Sequence, residues 1–182
     1  MLALKEASVD LTAVIHRRAE IGFAKIGART RVWQFASVIR GAVLGEDCNV
    51  AANAIVDGAI IGDRCLIGHA SAINPGVVID DDVFIAPGVS CCNDAWPRAS
   101  KAGFEIEQLV SGEFVTIRIA AGASIGAGVI IMPGTMIGKG AMVAGGVTVE
   151  RNIPSHHILY RDGSLREINR LQNPRRMREA VW

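Results

Sequence analysis

The sequence predicts an all-β domain folded as a parallel β-helix, and three features of the chain support this prediction. An aliphatic residue recurs every six positions over most of the chain, glycine often follows it, and the position four residues later is usually small. A period of six fits neither an amphipathic helix nor an alternating strand. It indicates a repeat in which three short strands and three bends complete one coil. We therefore expect successive coils to stack about 4.8 Å apart.

The aliphatic positions of the hexads are expected to point inward and to stack on one another. They are Ile26, Val32, Val38, Leu44 and Val50, then Ile61, Ile67, Ile73, Ile79 and Ile85, then Ile119, Ile125, Ile131, Ile137, Val143 and Val149. The small interior position is held by Cys48, Cys65, Ser71, Thr135 and Ala141, with the larger Val77, Val83 and Val129 as exceptions. The period loses one residue between Ile21 and Ile26 and another between Val50 and Ile61, and we expect a bend to absorb each loss.

The repeat also divides the chain into regions. The hexads stop near Cys91 and resume near Ile117, so a segment of about 90–116 is predicted to leave the helix as a loop. The β-helix domain is predicted to span residues 1–154 with this loop inside it. Residues 155–182 are predicted to form a C-terminal cap and tail, in which Ser164 N-caps a short helix over Leu165, Ile168 and Leu171.

Composition limits the function classes. Half of the 182 residues are hydrophobic and the net charge is +1, which argues against nucleic acid as a partner. The first twelve residues lack the apolar core of a signal peptide, and no apolar run is long enough to span a bilayer. The four cysteines suggest neither a disulfide framework nor a zinc site. We expect a reduced cytoplasmic protein without a metal ion or a membrane partner.

Four segments resemble a known family. Asp80–Pro87 with the following Asn93-Asp94 and Pro97-Arg98, together with 30–35, 45–50 and 122–127, are similar to motifs of the bacterial sugar-nucleotide N-acetyltransferases. These belong to the hexapeptide-repeat acyltransferase superfamily. The resemblance implies a left-handed β-helix, a homotrimer with sites between subunits, and acetyl-CoA as co-substrate. It also implies acetylation of the amino group of a UDP- or dTDP-linked 3-amino-3-deoxyhexose for surface polysaccharide synthesis.

The resemblance places the chemistry near the predicted loop. It puts Asn93 beside the sugar amine, where the amide oxygen can accept an amine hydrogen. Asp94 is a nearby carboxylate that can act as a base. His69 lies eighteen residues before Pro87, one full coil below the loop, and is a further candidate for the general base. A turn-forming role for Asn93 and Asp94, and a surface position for His69, remain the structural alternatives.

Binding residues follow in the same way. Trp33 and Phe35 are candidates for stacking on the nucleotide base, with Asn53 beside them, and Arg98 is a candidate for the diphosphate. Core packing and a loop salt bridge are their structural alternatives. The pantetheine arm is expected along the smooth backbone of the last coils, at Ala127, Gly128, Ala144 and Gly145. Lys139, Arg151 or Arg161 is expected to meet the CoA phosphates.

Three other functions are open on the sequence. One is an O- or N-acetyltransferase for a small acceptor such as serine or an antibiotic. Another is a metalloenzyme similar to the γ-type carbonic anhydrases, which is disfavoured because the four histidines lack a closely spaced pair within the repeats. They are His16, His69, His156 and His157. The last is a scaffold without catalytic activity, in which the loop near Asn93 would have no function.

Overall fold

The computed structural model describes residues 7–99 and 114–168, which form three sheets wrapped around one core, with every strand but the last parallel to its neighbours. Sheet 1 contains β1 (Ser8–Val9), β4 (Ala24–Ile26), β7 (Ala42–Leu44), β10 (Ile60–Ile61), β13 (Val77–Ile79), β16 (Ile117–Ile119) and β19 (Thr135–Ile137). Sheet 2 contains β2 (Val14–Ile15), β5 (Arg31–Val32), β8 (Asn49–Val50), β11 (Leu66–Ile67), β14 (Phe84–Ile85), β17 (Ser124–Ile125), β20 (Met142–Val143), β22 (His157–Leu159) and β23 (Leu165–Glu167). Sheet 3 contains β3 (Glu20–Ile21), β6 (Ser37–Ile39), β9 (Ile55–Asp57), β12 (Ala72–Ile73), β15 (Ser90–Cys91), β18 (Ile130–Ile131) and β21 (Thr148–Val149).

The strand order is that of a parallel β-helix, as the six-residue period predicts. Each coil visits sheets 1, 2 and 3 in turn, so β1–β3 form coil 1 and β19–β21 form coil 7. Leu66 of coil 4 aligns with Phe84 of coil 5, eighteen residues later. Ile60 aligns with Val43, only seventeen residues earlier, because the bend after β9 is one residue short. The register is therefore kept despite the lost residue.

The predicted core is confirmed. Every aliphatic residue of the three runs is buried, with at most 4% of its surface exposed. The small interior positions are buried as well, and the three valines among them are accommodated. Because inward and outward side chains alternate along each strand, Ile61 is 1% exposed whereas its neighbour Ile60 is 52% exposed.

Polar residues in the interior form a column that is satisfied by backbone carbonyls. The Thr30 hydroxyl donates to Gly45 O at 2.8 Å, the Cys48 thiol to Gly62 O at 3.0 Å, and the Cys65 thiol to Asp80 O at 3.1 Å. Each donor thus reaches the carbonyl of the coil above it. A small side chain with one hydrogen is therefore suited to this position, and the cysteines are free thiols.

The three lines of bends form three edges, which we name edge 1/2, edge 2/3 and edge 3/1 after the sheets that they join. Along edge 1/2, arginines connect successive coils. Arg29 donates to Glu46 and Asp47 at 2.7–2.8 Å, and Arg64 donates to Asp81 and Asp82. The hydrogen bond from Arg29 lowers the pKa of Asp47 below its ordinary value.

The C-terminal cap differs from the prediction. The prediction of a helix that begins at Leu165 is wrong. The residues there form β23, a strand that pairs antiparallel with β22. β22 itself extends sheet 2 beyond β20. Asp162 Oδ1 accepts the Ser164 N–H in the tight turn between the two strands, so Ser164 does not cap a helix. Leu171 lies outside the described residues. None of the described residues belongs to a helix that could cross a membrane.

The alternation in β10 gives a stability prediction. Ile61→Ala removes a fully buried side chain between two coils and should destabilise the protein by about 2–5 kcal/mol. Ile60→Ala on the same strand should cost less than about 1 kcal/mol, because the side chain is half exposed. Urea denaturation followed by circular dichroism measures both, and equal losses would contradict the assigned faces of β10.

The arginine ladder gives a pH prediction. Asp47 has a lower pKa in the folded protein than in the unfolded chain, so its stabilisation is present above about pH 4 and is lost as the pH falls through the lowered pKa. Arg29→Gln should therefore unfold at a lower temperature than wild type at pH 7, and the difference should shrink as the pH falls through the lowered pKa of Asp47. Arg17→Gln, a change at another exposed arginine, is the control. A difference for Arg29→Gln that is independent of pH would refute this explanation.

Candidate functional site

The insertion interrupts the helix at edge 3/1. Ile79 aligns with Ile119, and 119 − 79 = 40, which exceeds the usual 18 by 22 residues. The chain departs after β15 and returns before β16. The return is fixed by Thr116, whose N–H donates to Gly76 O and whose carbonyl accepts the Gly134 N–H, both at 2.7 Å. The insertion therefore replaces one bend without disturbing the stacking of the coils on either side.

Two asparagines lie at the base of this loop and differ in their contacts. Asn74 Nδ2 donates to Cys91 O at 2.8 Å and links coils 4 and 5. Asn93 Nδ2 makes a longer contact of 3.3 Å to Pro75 O. Within the described part of the chain, no donor reaches Asn93 Oδ1. Asn74 is thus a structural residue, whereas half-buried Asn93 keeps an amide oxygen available for a ligand.

The other loop candidates occupy the same bend. Asp94 Oδ1 accepts the Trp96 N–H at 2.9 Å, so Asp94 holds a turn, as its structural alternative predicts. Trp96 is 67% exposed. Arg98 is also exposed, and across residues 7–99 and 114–168 it has no carboxylate partner. The structure therefore brings Asn93, Asp94 and Arg98 together at edge 3/1.

Most of the other predicted residues fall on edge 2/3. Backbone hydrogen bonds of 2.8–2.9 Å connect this edge from coil to coil: Gly88 N–H donates to His69 O, Gly128 N–H to Pro87 O, and Gly146 N–H to Ala127 O. Phe35 and Asn53 occupy the equivalent place in the lower coils, where each also has a positive φ. Predicted donor-binding and acceptor-binding residues thus form one continuous line.

Side-chain size decreases along this line. The residues with positive φ at edge 2/3 are, from the lowest coil upward, Phe35, Asn53, Ala70, Gly88, Gly128 and Gly146. A Cβ atom added at Gly128 or Gly146 would meet no atom within 4 Å. The upper coils therefore present bare backbone to solvent, and the lower coils present aromatic and polar side chains. We call the bare part, 126–128 and 144–146, the upper track.

The lower end of edge 2/3 carries two contacts that the sequence did not indicate. The Trp33 indole N–H donates to Asn49 Oδ1 at 2.8 Å, and the Arg18 guanidinium lies 5.7 Å from the centre of the Phe35 ring. Trp33 and Phe35 are 41% and 55% exposed, so they are not core residues. Asn49 and Arg18 lie on neighbouring coils of the aromatics they contact, and a search one coil away in sequence would have found them.

His69 and Asn93 are not neighbours within one chain. His69 is exposed on edge 2/3 of coil 4, whereas Asn93 follows β15 on edge 3/1 of coil 5. The width of sheet 3 separates the two edges. The two residues therefore belong to different edges of the helix.

The predicted phosphate-binding residues are separated as well. Lys139 lies on edge 1/2, where its N–H donates to Ser155 Oγ at 3.1 Å, away from the upper track. Arg161 Nε donates to Gly145 O at 2.7 Å, at the end of the upper track. Arg151 donates to Gly163 O in the turn after β22.

Among the described residues, the ionisable groups near Asn93 form neither an activated nucleophile nor a metal centre. Burial, together with Cys92, raises the pKa of Cys91 to about 12, and burial raises the pKa of Cys92. Both thiols are thus poor sources of a thiolate at neutral pH. Among residues 7–99 and 114–168, no group of three His, Cys, Asp or Glu side chains can hold a metal ion.

The two asparagines of the loop base give a stability prediction. Asn74→Ala should cost about 0.5–1.5 kcal/mol, because it removes a short hydrogen bond between coils. Asn93→Ala should cost less, because the hydrogen bond from its amide nitrogen to Pro75 O is long, at 3.3 Å. Differential scanning calorimetry ranks the two variants. A larger loss for Asn93→Ala would make Asn93 the structural residue of the pair.

Sequence comparisons identify two family matches. The profile of the GMPPB C-terminal domain matches residues 3–96, just over half of the chain. The profile of the hexapeptide repeat of succinyl-transferase matches residues 116–151. A search of curated proteins finds no match.

Solved structures share the fold at low sequence identity. A UDP-N-acetylglucosamine acyltransferase from Campylobacter jejuni superposes with a TM-score of 0.59 at 19% identity, covering 93% of this chain and 78% of that one. A mutant of AntD, an N-acyltransferase from Bacillus cereus in complex with dTDP and coenzyme A, gives 0.55 at 18%, covering 96% and 90%. A hexapeptide transferase family protein from Anaplasma phagocytophilum gives 0.55 at 20%, covering 96% and 86%. These likenesses confirm the predicted left-handed β-helix.

Proposed function

The chain belongs to the family of the GMPPB C-terminal domain, within the hexapeptide-repeat proteins, and from this premise we propose that it is an acetyl-CoA-dependent N-acetyltransferase. Its acceptor is the amino group of a nucleotide-linked amino sugar, a UDP- or dTDP-linked 3-amino-3-deoxyhexose. The observation that carries the proposal is the loop that presents Asn93, whose amide oxygen accepts no hydrogen bond from the residues that the structure describes. The upper track, which is bare enough for a pantetheine arm, supports it.

The proposed reaction needs few groups. The neutral amine attacks the thioester carbonyl, a tetrahedral oxyanion forms, and the C–S bond breaks to release the CoA thiolate. Asn93 Oδ1 accepts a hydrogen of the amine and aims its lone pair at the carbonyl. Backbone N–H groups can stabilise the oxyanion. The amine loses one proton to a base, for which His69 is the candidate on edge 2/3 and Asp94 the candidate on the loop.

The site of this proposal is shared between subunits. Asn93 and Arg98 lie on edge 3/1, whereas His69 and the upper track lie on edge 2/3. In a homotrimer, edge 3/1 of one subunit would face edge 2/3 of the next, so that each site contains both sets of residues. This arrangement explains why neither edge of a single chain carries a complete set.

The acceptor has candidate contacts at both edges. Trp33 and Phe35 offer exposed aromatic faces for a nucleotide base, with Asn53 one coil above, and the Arg18 guanidinium beside Phe35 adds positive charge. Arg98 is available for the diphosphate. AntD was solved with dTDP and coenzyme A on a fold of this kind, which supports a nucleotide acceptor. We place the reaction in the cytoplasm, in surface polysaccharide synthesis.

Kinetics of thiol release from acetyl-CoA test the proposal. A panel of UDP- and dTDP-linked 3-amino and 4-amino sugars is compared with serine and an aminoglycoside as small acceptors. We expect turnover with a 3-amino sugar and about a hundredfold lower kcat for Asn93→Ala, the loss typical of one transition-state hydrogen bond. Glu150→Ala, at an exposed position two coils above, is the control and should match wild type.

The other results have definite meanings. Full activity of Asn93→Ala would remove Asn93 from the site. His69→Ala should lower kcat about 10²–10⁴-fold and flatten the pH profile if His69 is the base. Turnover with serine or the aminoglycoside alone would favour the second candidate, an acetyltransferase for a small acceptor. No thiol release with any acceptor would refute acetyl transfer.

A further inference from the structure

The C-terminal hairpin covers the end of the upper track. β22 adds to sheet 2 above β20, and the chain then turns back into β23, so that the turn lies beside the last bend of edge 2/3. Within the turn, Tyr160 N–H donates to Ser164 O, and Gly163 N–H donates to Tyr160 O, at 2.9 and 3.0 Å. These bonds give residues 160–164 a defined shape.

Arg161 is the residue of this turn that reaches the upper track. Its Nε donates to Gly145 O at 2.7 Å, and its Nη2 lies 3.9 Å from the place that a Cβ of Gly145 would occupy. Gly145 in turn lies directly above Ala127, whose carbonyl is 3.1 Å from the same Cβ position. The guanidinium is therefore held in place at the upper end of the track.

The remaining donors of Arg161 are available. The side chain is exposed, and across residues 7–99 and 114–168 it forms no ion pair with a carboxylate. One Nε–H is used on Gly145, which leaves the four N–H groups of the two terminal nitrogens. A fixed guanidinium with a free fork of donors matches the geometry of a phosphate. The bare backbone below it can admit the rest of an extended ligand.

The distance along the helix axis from Arg161 to the level of His69 matches the length of the acyl donor. Three coil steps separate Gly145 from His69, which is about 14 Å at the spacing of parallel strands. This distance is comparable to an extended pantetheine arm. A donor whose phosphates lie at Arg161 would therefore bring its thioester down to coils 4 and 5, the level of Asn93 and His69. Lys139 cannot serve in this way, because it lies on edge 1/2.

We propose that Arg161 binds a phosphate group of the acyl donor and so fixes both the place and the direction of coenzyme A on edge 2/3. The phosphates lie at the hairpin, and the thioester points toward the N-terminal coils. This inference rests on the proposed acyl transfer and adds to it the residue that anchors the donor. Arg161 acts as a binding and positioning residue and does not touch the reacting atoms.

Isothermal titration calorimetry tests the anchor with three ligands: coenzyme A, dephospho-coenzyme A, which lacks only the 3′-phosphate, and pantetheine, which lacks all phosphates and the adenosine. Coenzyme A, dephospho-coenzyme A and pantetheine are titrated into wild type, Arg161→Gln and Arg166→Gln. Arg166 is the matched control, since it lies in the same hairpin, 5.3 Å from the centre of the Tyr160 ring. We expect Arg161→Gln to weaken coenzyme A about 10- to 100-fold, the value of a charged hydrogen bond, and to leave pantetheine unchanged.

Each outcome decides the proposal. An equal loss for coenzyme A and pantetheine would show that Arg161 only shapes the turn, and unchanged binding of coenzyme A would also overturn the proposal. If Arg161→Gln binds dephospho-coenzyme A as wild type does, the 3′-phosphate is the contact. If dephospho-coenzyme A also binds more weakly to Arg161→Gln than to wild type, the diphosphate is the contact.

Failure of wild type to bind coenzyme A would refute acyl transfer itself. Melting temperatures of the three proteins check that the hairpin remains folded.

Discussion

The structure depends on the close stacking of coils around one narrow interior. Backbones of adjacent coils approach so closely at the bends that a Cβ at Gly126 would lie 2.4 Å from Gly145 N, which no side chain can tolerate. Inside the helix, each strand contributes one aliphatic side chain to the space between the three sheets. The core is therefore densely packed and only about one side chain deep from each sheet. This constraint explains the period of six and the glycines that follow the buried residues.

Because the strands are used for stacking, the bends are the parts of each coil that can carry a functional site. Inward positions are occupied by the core, and outward positions of the strands form flat faces, whereas the bends present side chains and backbone groups in regular columns. Edge 1/2 is closed by arginine and carboxylate contacts between coils, as at Arg29. Edge 3/1 carries the insertion with Asn93, and edge 2/3 carries the graded line from Phe35 to Gly146. Two of the three edges thus have features that the core does not require.

The sequence predicts the helix well because the constraint is local and repeated. Ile119, Ile125 and Ile131 mark three strands before any long-range contact is known, and the two missing residues fall in bends. It fails at Leu165, where a capping signal at Ser164 suggested a helix and pairing with β22 produced a strand. His69 and Asn93 are 24 residues apart, which is one coil and one further hexad, so the repeat itself places them on different edges of the helix. The contact of Arg161 with Gly145 depends on the shape of the hairpin turn, which no repeat encodes.

The 22-residue insertion has a consequence for how proteins with this fold diversify. In a solenoid, each coil contacts only its neighbours, and here the register resumes after the loop as though it were a simple bend. A loop of another length or composition can therefore replace it without moving the upper track or the hairpin. In the proposed site, the loop contributes Asn93 and Arg98 to the contacts with the acceptor, whereas the upper track and Arg161 on edge 2/3 bind the acyl donor. Changes in the loop can therefore alter the acceptor while the donor site is kept.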